Sequence, residues 1–248
     1  MYAETIIFYS RKIAEFEIHL FTPGDIMTFG KKILQFYKRL EIPYYPKDQF
    51  EIMVPFDNRE VRDICSRFYE KYYNDNRERI FLIGINPGRF GAGITGLPFI
   101  DPINLEKSLG ITNSFKKKHE LSSQFIFSVI RGAGGADNFF SRFYLTAVSP
   151  IGFIRTGKNI NYYELEFIRN KWKPFFIKCL ESQVGAGGNR EKAFILGQGE
   201  NNTYFKKLND EYGFFSELVS LPHPRWVMQY RFRQKSYFAN KYIKKLTA

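Results

Sequence analysis

The chain has 248 residues, of which 44% are hydrophobic and 18% aromatic, so it can bury a core as one folded domain and is not a disordered tail. Lys and Arg number 37 against 25 acidic residues, and the net charge of +12 suits nucleic acid or an acidic membrane, although a solvated basic surface gives the same count. Cys65 and Cys179 are too few for a disulfide framework, an iron–sulfur cluster or a four-cysteine zinc site, and they favour a reducing, intracellular compartment.

The first third of the chain predicts helices joined by a loop. Residues 1–16 carry charges throughout and do not resemble a signal peptide, and no apolar run is long enough to span a membrane. Helical spacing covers residues 24–40 and again residues 58–73. Between them, prolines at positions 43, 46 and 55 break the helical pattern and predict extended or loop structure.

The rest of the chain predicts strands that alternate with helices. Short apolar runs predict buried strands over residues 80–83, 142–148, 193–196 and 217–221. Helical patterns cover residues 122–130, 162–180, 203–208 and 237–246. This alternation predicts an α/β fold of three layers, α/β/α, with a central, mostly parallel four-stranded sheet. In such folds the functional residues lie beyond the carboxyl ends of the strands, where Asn86, Pro150, Gly199 and His223 fall.

The loop after the first predicted strand is rich in glycine and proline. Residues 84–88 read Gly-Ile-Asn-Pro-Gly, which forms a strong turn and lets the backbone approach a ligand closely. The spacing Gly91-x-Gly93-x-x-Gly96 matches a dinucleotide fingerprint, but Pro98 interrupts the helix that the fingerprint requires.

Among the three histidines, His223 has the placement of a functional residue. It follows an apolar strand and lies between two prolines, whereas His19 is predicted to be structural and His119 lies in a charged surface run. After His223 the chain has no acidic residue, and basic side chains alternate with aromatic ones, which fits phosphate neutralisation and stacking on bases. We expect residues 225–233 to form a contact surface and residues 237–246 a helix whose aromatic side chains face the core. No metal-binding pattern is present, so neither a metal nor a cofactor is expected.

These motifs resemble those of the single-strand-selective monofunctional uracil-DNA glycosylases, and the Gly-Ile-Asn-Pro-Gly sequence is also similar to that of the mismatch-specific uracil glycosylases. The likeness continues through Phe139-Phe140, Ser149-Pro150 and residues 196–199 to His223-Pro224. It covers about residues 55–246, and so predicts a single domain over residues 1–248 in which residues 1–54 are an N-terminal extension and residues 55–248 the family-like core.

The resemblance implies a target base that is rotated out of DNA and cut from its sugar by hydrolysis. Asn86 matches the asparagine that positions the attacking water, and His223 matches the histidine that stabilises negative charge on the departing base. The implied base pocket comprises Ile85, Gly88, Phe99, Thr146 and Ala147. In it, Phe99 stacks on the base, and Gly88 leaves room at the 5-position of a uracil. No lysine matches a nucleophile, so a monofunctional reaction without strand cleavage is expected.

The resemblance also implies a set of contacts with DNA. The residues assigned to them are Gly96, Pro98, Ser149, Gln198, Gly199, Pro224, Arg225, Trp226, Val227, Met228, Arg231 and Arg233. Trp226, Val227 and Met228 are the candidates to fill the gap left by the flipped base. We expect a monomer that acts on single- or double-stranded DNA in the cytoplasm and does not bind a membrane.

The sequence departs from the family at the position that reads the base. The family has an asparagine three residues before the proline of the central strand end, where this chain has Ala147. The alanine side chain can neither donate nor accept a hydrogen bond, so Thr146 or a backbone group takes over, or the preferred base is not uracil. Two alternatives to a repair glycosylase stay open: a catalytically weak nucleic-acid-binding protein that retains the glycosylase fold, and an enzyme acting on free nucleosides or nucleotides.

Overall fold

The structure is a computed structural model that describes residues 27–247 of the chain. His19 and residues 24–26 of the first predicted helix lie outside this range. The described strands are, in chain order, β1 (Glu51–Met53), β2 (Arg79–Gly84), β3 (Phe143–Ala147), β4 (Gly152–Arg155), β5 (Lys158–Ile160), β6 (Gly188–Leu196) and β7 (Glu217–Leu221).

The described α-helices are, in chain order, α1 (Phe29–Lys38), α2 (Arg59–Tyr73), α3 (Ala92–Thr95), α4 (Pro102–Lys107), α5 (Leu121–Gly132), α6 (Ala136–Arg142), α7 (Glu166–Lys171), α8 (Lys173–Gly185), α9 (Glu200–Tyr212), α10 (Pro224–Tyr230) and α11 (Lys235–Thr247). Short 3₁₀ turns cover Pro55–Asp57 and Phe232–Gln234.

A four-stranded sheet in the order β3-β2-β6-β7 forms the centre of the fold. All of its pairings are parallel. The four strands correspond to the four predicted ones, and helices flank the sheet, so the α/β prediction is confirmed. Helix α1 packs on α2 and α8, while α10 and α11 pack on α5. The sheet is buried because its strands are apolar on both faces, as in β2, where Phe81, Leu82 and Ile83 are all fully buried.

A second, smaller sheet was not predicted. Strands β1, β4 and β5 form it in the order β1-β4-β5, with antiparallel pairing throughout. Met53 pairs with Gly152, and Phe153 pairs with Ile160. The hairpin β4-β5 follows directly on the carboxyl end of β3, and it therefore stands beside the loops that follow the central sheet.

The predicted helix over residues 162–180 is wrong in its extent. Tyr162 and the residues up to position 165 form a turn, and two helices, α7 and α8, meet at Trp172. Pro174 lies in the first turn of α8, where its missing backbone N–H is tolerated, although it would break a continuous helix. Trp172 at this junction is fully buried, which fixes the angle between the two helices.

Residues 27–54 contribute to the same core as the rest of the described chain. Phe29, Ile33 and Tyr37 of α1 are buried in one hydrophobic cluster that extends to Leu246 in α11. At the amino-terminal end of β2, the fully buried Arg79 donates to the carbonyl oxygen of Phe140 at 2.9 Å and forms an ion pair with Asp75. This arginine anchors the end of the sheet that lies away from the predicted site.

Candidate active site

The carboxyl ends of the parallel strands bring the predicted motifs to one edge of the sheet. After β2 and β3, the Val148 amide donates to the Gly84 carbonyl at 3.1 Å, and the Ser149 amide donates to the Ile85 carbonyl at 3.1 Å. After β6 and β7, the Gly197 amide donates to the Leu221 carbonyl at 2.8 Å. Two pairs of segments thus continue the sheet's hydrogen bonding into the loops, and the pairing of β2 with β6 brings both pairs to the same edge of the sheet.

The side chain of Asn86 is held at both ends of its amide. Its Nδ2 donates to the Ile160 carbonyl at 3.2 Å, and its Oδ1 accepts from the Tyr162 backbone amide at 3.0 Å. These two bonds distinguish the oxygen from the nitrogen and fix the orientation of the amide. An amide oxygen has two lone pairs, so the bond from Tyr162 leaves one to accept a proton from a water molecule.

His223 is partly buried and caps helix α10. Its Nδ1 accepts from the backbone amide of Arg225 at 3.1 Å. A neutral imidazole that accepts at Nδ1 carries its proton on Nε2, so the cap makes Nε2–H the outward donor. Burial, with a smaller contribution from the Arg225 charge, lowers the pKa of His223 from 6.5 to about 4. The histidine is therefore a neutral hydrogen-bond donor at neutral pH.

The ring of Phe99 lies between β2 and His223. Its centroid is 6.2 Å from that of the His223 ring, with an angle of 50° between the planes. A Cβ atom built on Gly84 would lie 2.6 Å from the Phe99 ring, so only glycine leaves the space that the ring uses. Phe99 also has a positive φ of 61°, which is strained for a non-glycine residue. The backbone thus holds the ring against the strand end at an energetic cost.

Gly88 faces the amide of Asn159 in β5. A Cβ atom built on Gly88 would lie 3.3 Å from Asn159 Nδ2. Asn159 Oδ1 is buried and has no hydrogen-bond partner in the structure. An unpaired buried acceptor is costly, and such groups are often satisfied by a ligand. Asn159 therefore adds a polar group next to the space at Gly88 that sequence analysis did not identify.

Ala147 and Thr146 end β3 on opposite faces of the sheet. Thr146 is buried, and its hydroxyl donates to Gln183 Oε1 of α8 at 2.6 Å, as the Tyr144 hydroxyl on the same face also does at 3.1 Å. Side chains alternate along a strand, so Ala147 faces the other way. The prediction that Thr146 replaces the missing asparagine in the pocket is therefore wrong, because its hydroxyl is already used in the core.

The predicted DNA contacts separate into exposed and buried residues. Gln198, Gly199, Arg225, Trp226, Arg231 and Arg233 are exposed, and Pro98 is partly buried. The remaining predicted contacts, Gly96, Ser149, Pro224, Val227 and Met228, are buried. Gly96 packs against the side chains of Val61 and Cys65, and the Ser149 hydroxyl donates to the Ile151 carbonyl at 2.8 Å. These five positions are corrected to structural ones.

Among the three candidates to fill the gap left by a flipped base, only Trp226 is available. It is 38% exposed, whereas Val227 and Met228 are 0% and 7% exposed and face the core. The guanidinium group of Arg231 lies 5.2 Å from the centre of the Trp226 ring, which holds a cation beside it. Tyr230 and Tyr237 are also exposed, at 65% and 64%, so the prediction that the aromatic side chains from 237 onward face the core holds for Tyr242 but not for Tyr237.

Three further residues support this edge of the sheet, and sequence analysis missed them. Tyr162 and Asn201 are buried and bonded to each other, and the Tyr242 hydroxyl donates to the Pro222 carbonyl next to His223. None of them belongs to a motif, and only tertiary packing brings them to the site.

Within residues 27–247 there is no cluster of three or more His, Cys, Asp or Glu side chains able to hold a metal ion. No helix in that range is long and apolar enough to cross a membrane.

Comparisons with known proteins agree on one family. The model of the uracil DNA glycosylase superfamily matches residues 70–247. The crystal structure of wild-type SMUG2 from Pedobacter heparinus is similar, with 39% sequence identity and a TM-score of 0.86, and the match covers 90% of this chain and 98% of that one. No curated protein matches the chain.

Proposed function

Because the chain belongs to the uracil DNA glycosylase superfamily and is thus a DNA N-glycosylase, we propose that it removes uracil, or a related deaminated or 5-substituted base, from DNA without cutting the strand. The observation that carries this proposal is the fixed amide of Asn86 at the same sheet edge as the neutral, donor-bearing His223. The enzyme acts as a monomer in base excision repair inside the cell, on a base flipped out of single- or double-stranded DNA.

Asn86 positions the water that attacks the sugar. The bond between C1′ and the base breaks, its electron pair leaves with the base, and C1′ gains oxocarbenium character. The oxygen of a water held by Asn86 Oδ1 then forms the new bond to C1′, and the proton it loses ends on the departing base or in solvent. An amide is a poor base, but it is sufficient here because a developed sugar cation needs an oriented water rather than a strong nucleophile.

His223 stabilises the base as it leaves. The departing base carries negative charge on its carbonyl oxygens, and Nε2–H of the neutral imidazole is a donor fixed in direction by the helix cap. A donor that is already oriented needs no reorganisation in the transition state, which is where such stabilisation acts.

The base is recognised without a hydrogen-bonding side chain at position 147. Phe99 supplies the stacking surface, and His223 the donor. Asn159 lies next to Gly88, with its Nδ2 nearest to that position, and its buried Oδ1 has no hydrogen-bond partner and supplies an acceptor for a polar group on the base near its 5-position. This pocket favours a base with a hydrogen-bond donor near its 5-position over unsubstituted uracil.

The test is a panel of oligonucleotides that contain uracil, 5-hydroxymethyluracil, hypoxanthine or xanthine, incubated with the protein and then treated with alkali. We expect wild-type protein to produce alkali-sensitive abasic sites on at least one base, and no strand breaks before alkali. Asn86→Ala and His223→Ala each lower the rate by about 100-fold or more, in line with the loss of one positioned group. Asn240→Ala, an exposed asparagine of α11, is the matched control and keeps the wild-type rate.

The competing functions give different results in the same assay. Salt-sensitive binding of DNA that is indifferent to the base, with no abasic product on any oligonucleotide, would replace the proposal with the catalytically weak binding protein. That alternative is favoured by one observation, the alanine at position 147. Turnover of free nucleosides in place of oligonucleotides would favour the remaining alternative, an enzyme that acts on free nucleosides or nucleotides.

A further inference from the structure

A pair of buried polar side chains, Tyr162 and Asn201, connects the two halves of the site. The Tyr162 hydroxyl donates to Asn201 Oδ1 at 2.8 Å, and Asn201 Nδ2 donates to the Leu196 carbonyl at the end of β6 at 3.4 Å. Tyr162 is fully buried and Asn201 is 2% exposed. Burial raises the pKa of Tyr162 well above its usual value, so the hydroxyl keeps its proton and remains the donor.

The backbone of Tyr162 is also what holds Asn86. The Tyr162 amide donates to Asn86 Oδ1, the atom assigned to the water, while the neighbouring Ile160 carbonyl accepts from Asn86 Nδ2. Tyr162 lies in a turn beyond the short strand β5, where regular secondary structure does not hold its backbone. Hydrogen bonds between Asn161 and Glu164 hold the turn internally. The buried side chain of Tyr162 connects the turn to the rest of the protein through its ring contacts and its bond to Asn201.

Asn201 lies between this turn and the histidine loop. A Cβ atom built on Gly197 would lie 3.5 Å from Asn201 Cβ and 3.9 Å from the Cδ2 atom of His223. The Gly197 amide in turn bonds to Leu221, two residues before His223. Asn201 thus contacts the segment that supports His223. Its amide oxygen also accepts from Tyr162, whose backbone orients Asn86.

We propose that Tyr162 and Asn201 are positioning residues that set the direction of the Asn86 amide relative to His223, and that their effect on the reaction acts through Asn86. This inference rests on the proposed glycosylase function. Neither side chain touches the base or the water. Loss of the Tyr162–Asn201 bond leaves the Asn86 amide in place but lets it turn, so the attacking water is less often aligned with C1′.

An ordinary buried hydrogen bond would affect stability alone, and the experiment separates the two roles. Single-turnover excision is measured with enzyme in excess on the base that the wild type removes. The Kd is measured for an oligonucleotide carrying a tetrahydrofuran abasic analogue. The variants are Tyr162→Phe and Asn201→Ala, each made in the wild type and in the Asn86→Ala background. Thermal unfolding of each variant identifies those that fold.

The matched control is Tyr204→Phe. Tyr204 packs against the ring of Tyr162 at a centroid distance of 5.1 Å, and its hydroxyl donates to the Arg169 carbonyl at 3.1 Å, away from Asn86. This substitution also removes one tyrosine hydroxyl and one hydrogen bond from the same cluster. Because the Tyr204 bond is exposed, this variant controls for the loss of a tyrosine hydroxyl beside Tyr162, while thermal unfolding of Tyr162→Phe itself gives the cost of the buried bond.

We expect Tyr162→Phe to lower the single-turnover rate about tenfold with the Kd changed less than about twofold, and Tyr204→Phe to leave the rate unchanged. In the Asn86→Ala background, Tyr162→Phe should cause no further loss, because the group it positions is gone. An equal loss in both backgrounds, or an unchanged rate in folded Tyr162→Phe, overturns the positioning role while the proposed function stands. If Tyr162→Phe does not fold, Asn201→Ala carries the same comparison. A wild type that excises no base refutes the proposed function, and the positioning role with it.

Discussion

The pKa of His223 makes a direct prediction about the pH dependence of catalysis. Burial and the Arg225 charge both disfavour the imidazolium form and lower its pKa from 6.5 to about 4. At about pH 5.5 a histidine with the ordinary pKa is about 90% protonated, whereas one with a pKa of about 4 is about 3% protonated. We therefore expect titration of His223 to change the excision rate by less than about twofold between about pH 7.5 and pH 5.5, with a fall only as the pH approaches about 4.

The assay combines single-turnover rates across this range with an NMR titration of the His223 ring, assigned by its absence in His223→Gln. Arg225→Gln removes a charge but keeps the backbone amide that caps the ring. Because burial is the larger cause, this variant should raise the pKa only part of the way to 6.5. A measured pKa at or above 6.5, with a rate that falls across it, would refute the assignment of His223 as a neutral donor.

The lowered pKa of His223 also makes the stability of the fold depend on pH. Between about pH 6.5 and pH 4 the unfolded chain binds a proton at His223 that the folded chain does not, so the free energy of unfolding falls as the pH is lowered through this window. The contribution of this shift to the free energy of unfolding is present in full above the unfolded-state pKa, and it is at most about 3–4 kcal/mol. In His223→Gln, stability should decline less between these pH values, which thermal or urea unfolding measures.

Three further predictions follow from the packing. Gly84→Ala should slow excision about tenfold or more and lower the free energy of unfolding by about 1–3 kcal/mol, because the new Cβ would lie 2.6 Å from the Phe99 ring and displace it. Unchanged single-turnover kinetics would show that the ring has no role. Arg79→Lys should destabilise the fold by about 1–3 kcal/mol in urea without changing the rate of the folded enzyme, since an ammonium group cannot keep all the bonds of the buried guanidinium. Arg231→Ala should weaken DNA binding and reduce the slope of log Kd against log salt concentration by about 1, and a slope equal to the wild type would remove this exposed arginine from the contact surface.

The central sheet could be predicted because each of its strands contains a short, continuous run of apolar residues. Residues 217–221 were predicted with the observed bounds, β2 and β3 each differ from their predictions by one residue at either end, and β6 begins five residues earlier than predicted. The small sheet could not be predicted, since β1 and β5 have only three residues each and lack a regular apolar pattern. Its pairing of Glu51 with Ile154 depends on tertiary contact over a hundred residues of sequence.

The site could be predicted where function depends on a motif, and not where it depends on burial. Asn86 and His223 lie in recognisable turns at strand ends, and the structure places both at the same edge. Val227 and Met228 were wrong as DNA contacts because the helical period of α10 turns them inward, next to the exposed Trp226. Tyr162 and Asn201 give no local signal, because a tyrosine in a turn and an asparagine in a helix are each common.

The strained backbone at Phe99 and the burial of its ring act on stability in opposite directions. The left-handed conformation costs about 1 kcal/mol relative to glycine, whereas burying a phenylalanine side chain stabilises a protein by up to about 1.5–3 kcal/mol, and the Phe99 ring packs against the hydrophobic core beside Gly84. Phe99→Gly is therefore expected to destabilise the protein although it relieves the strain, because glycine also raises the entropy of the unfolded chain. Selection for heat resistance and selection for repair are thus both expected to keep an aromatic ring at this position.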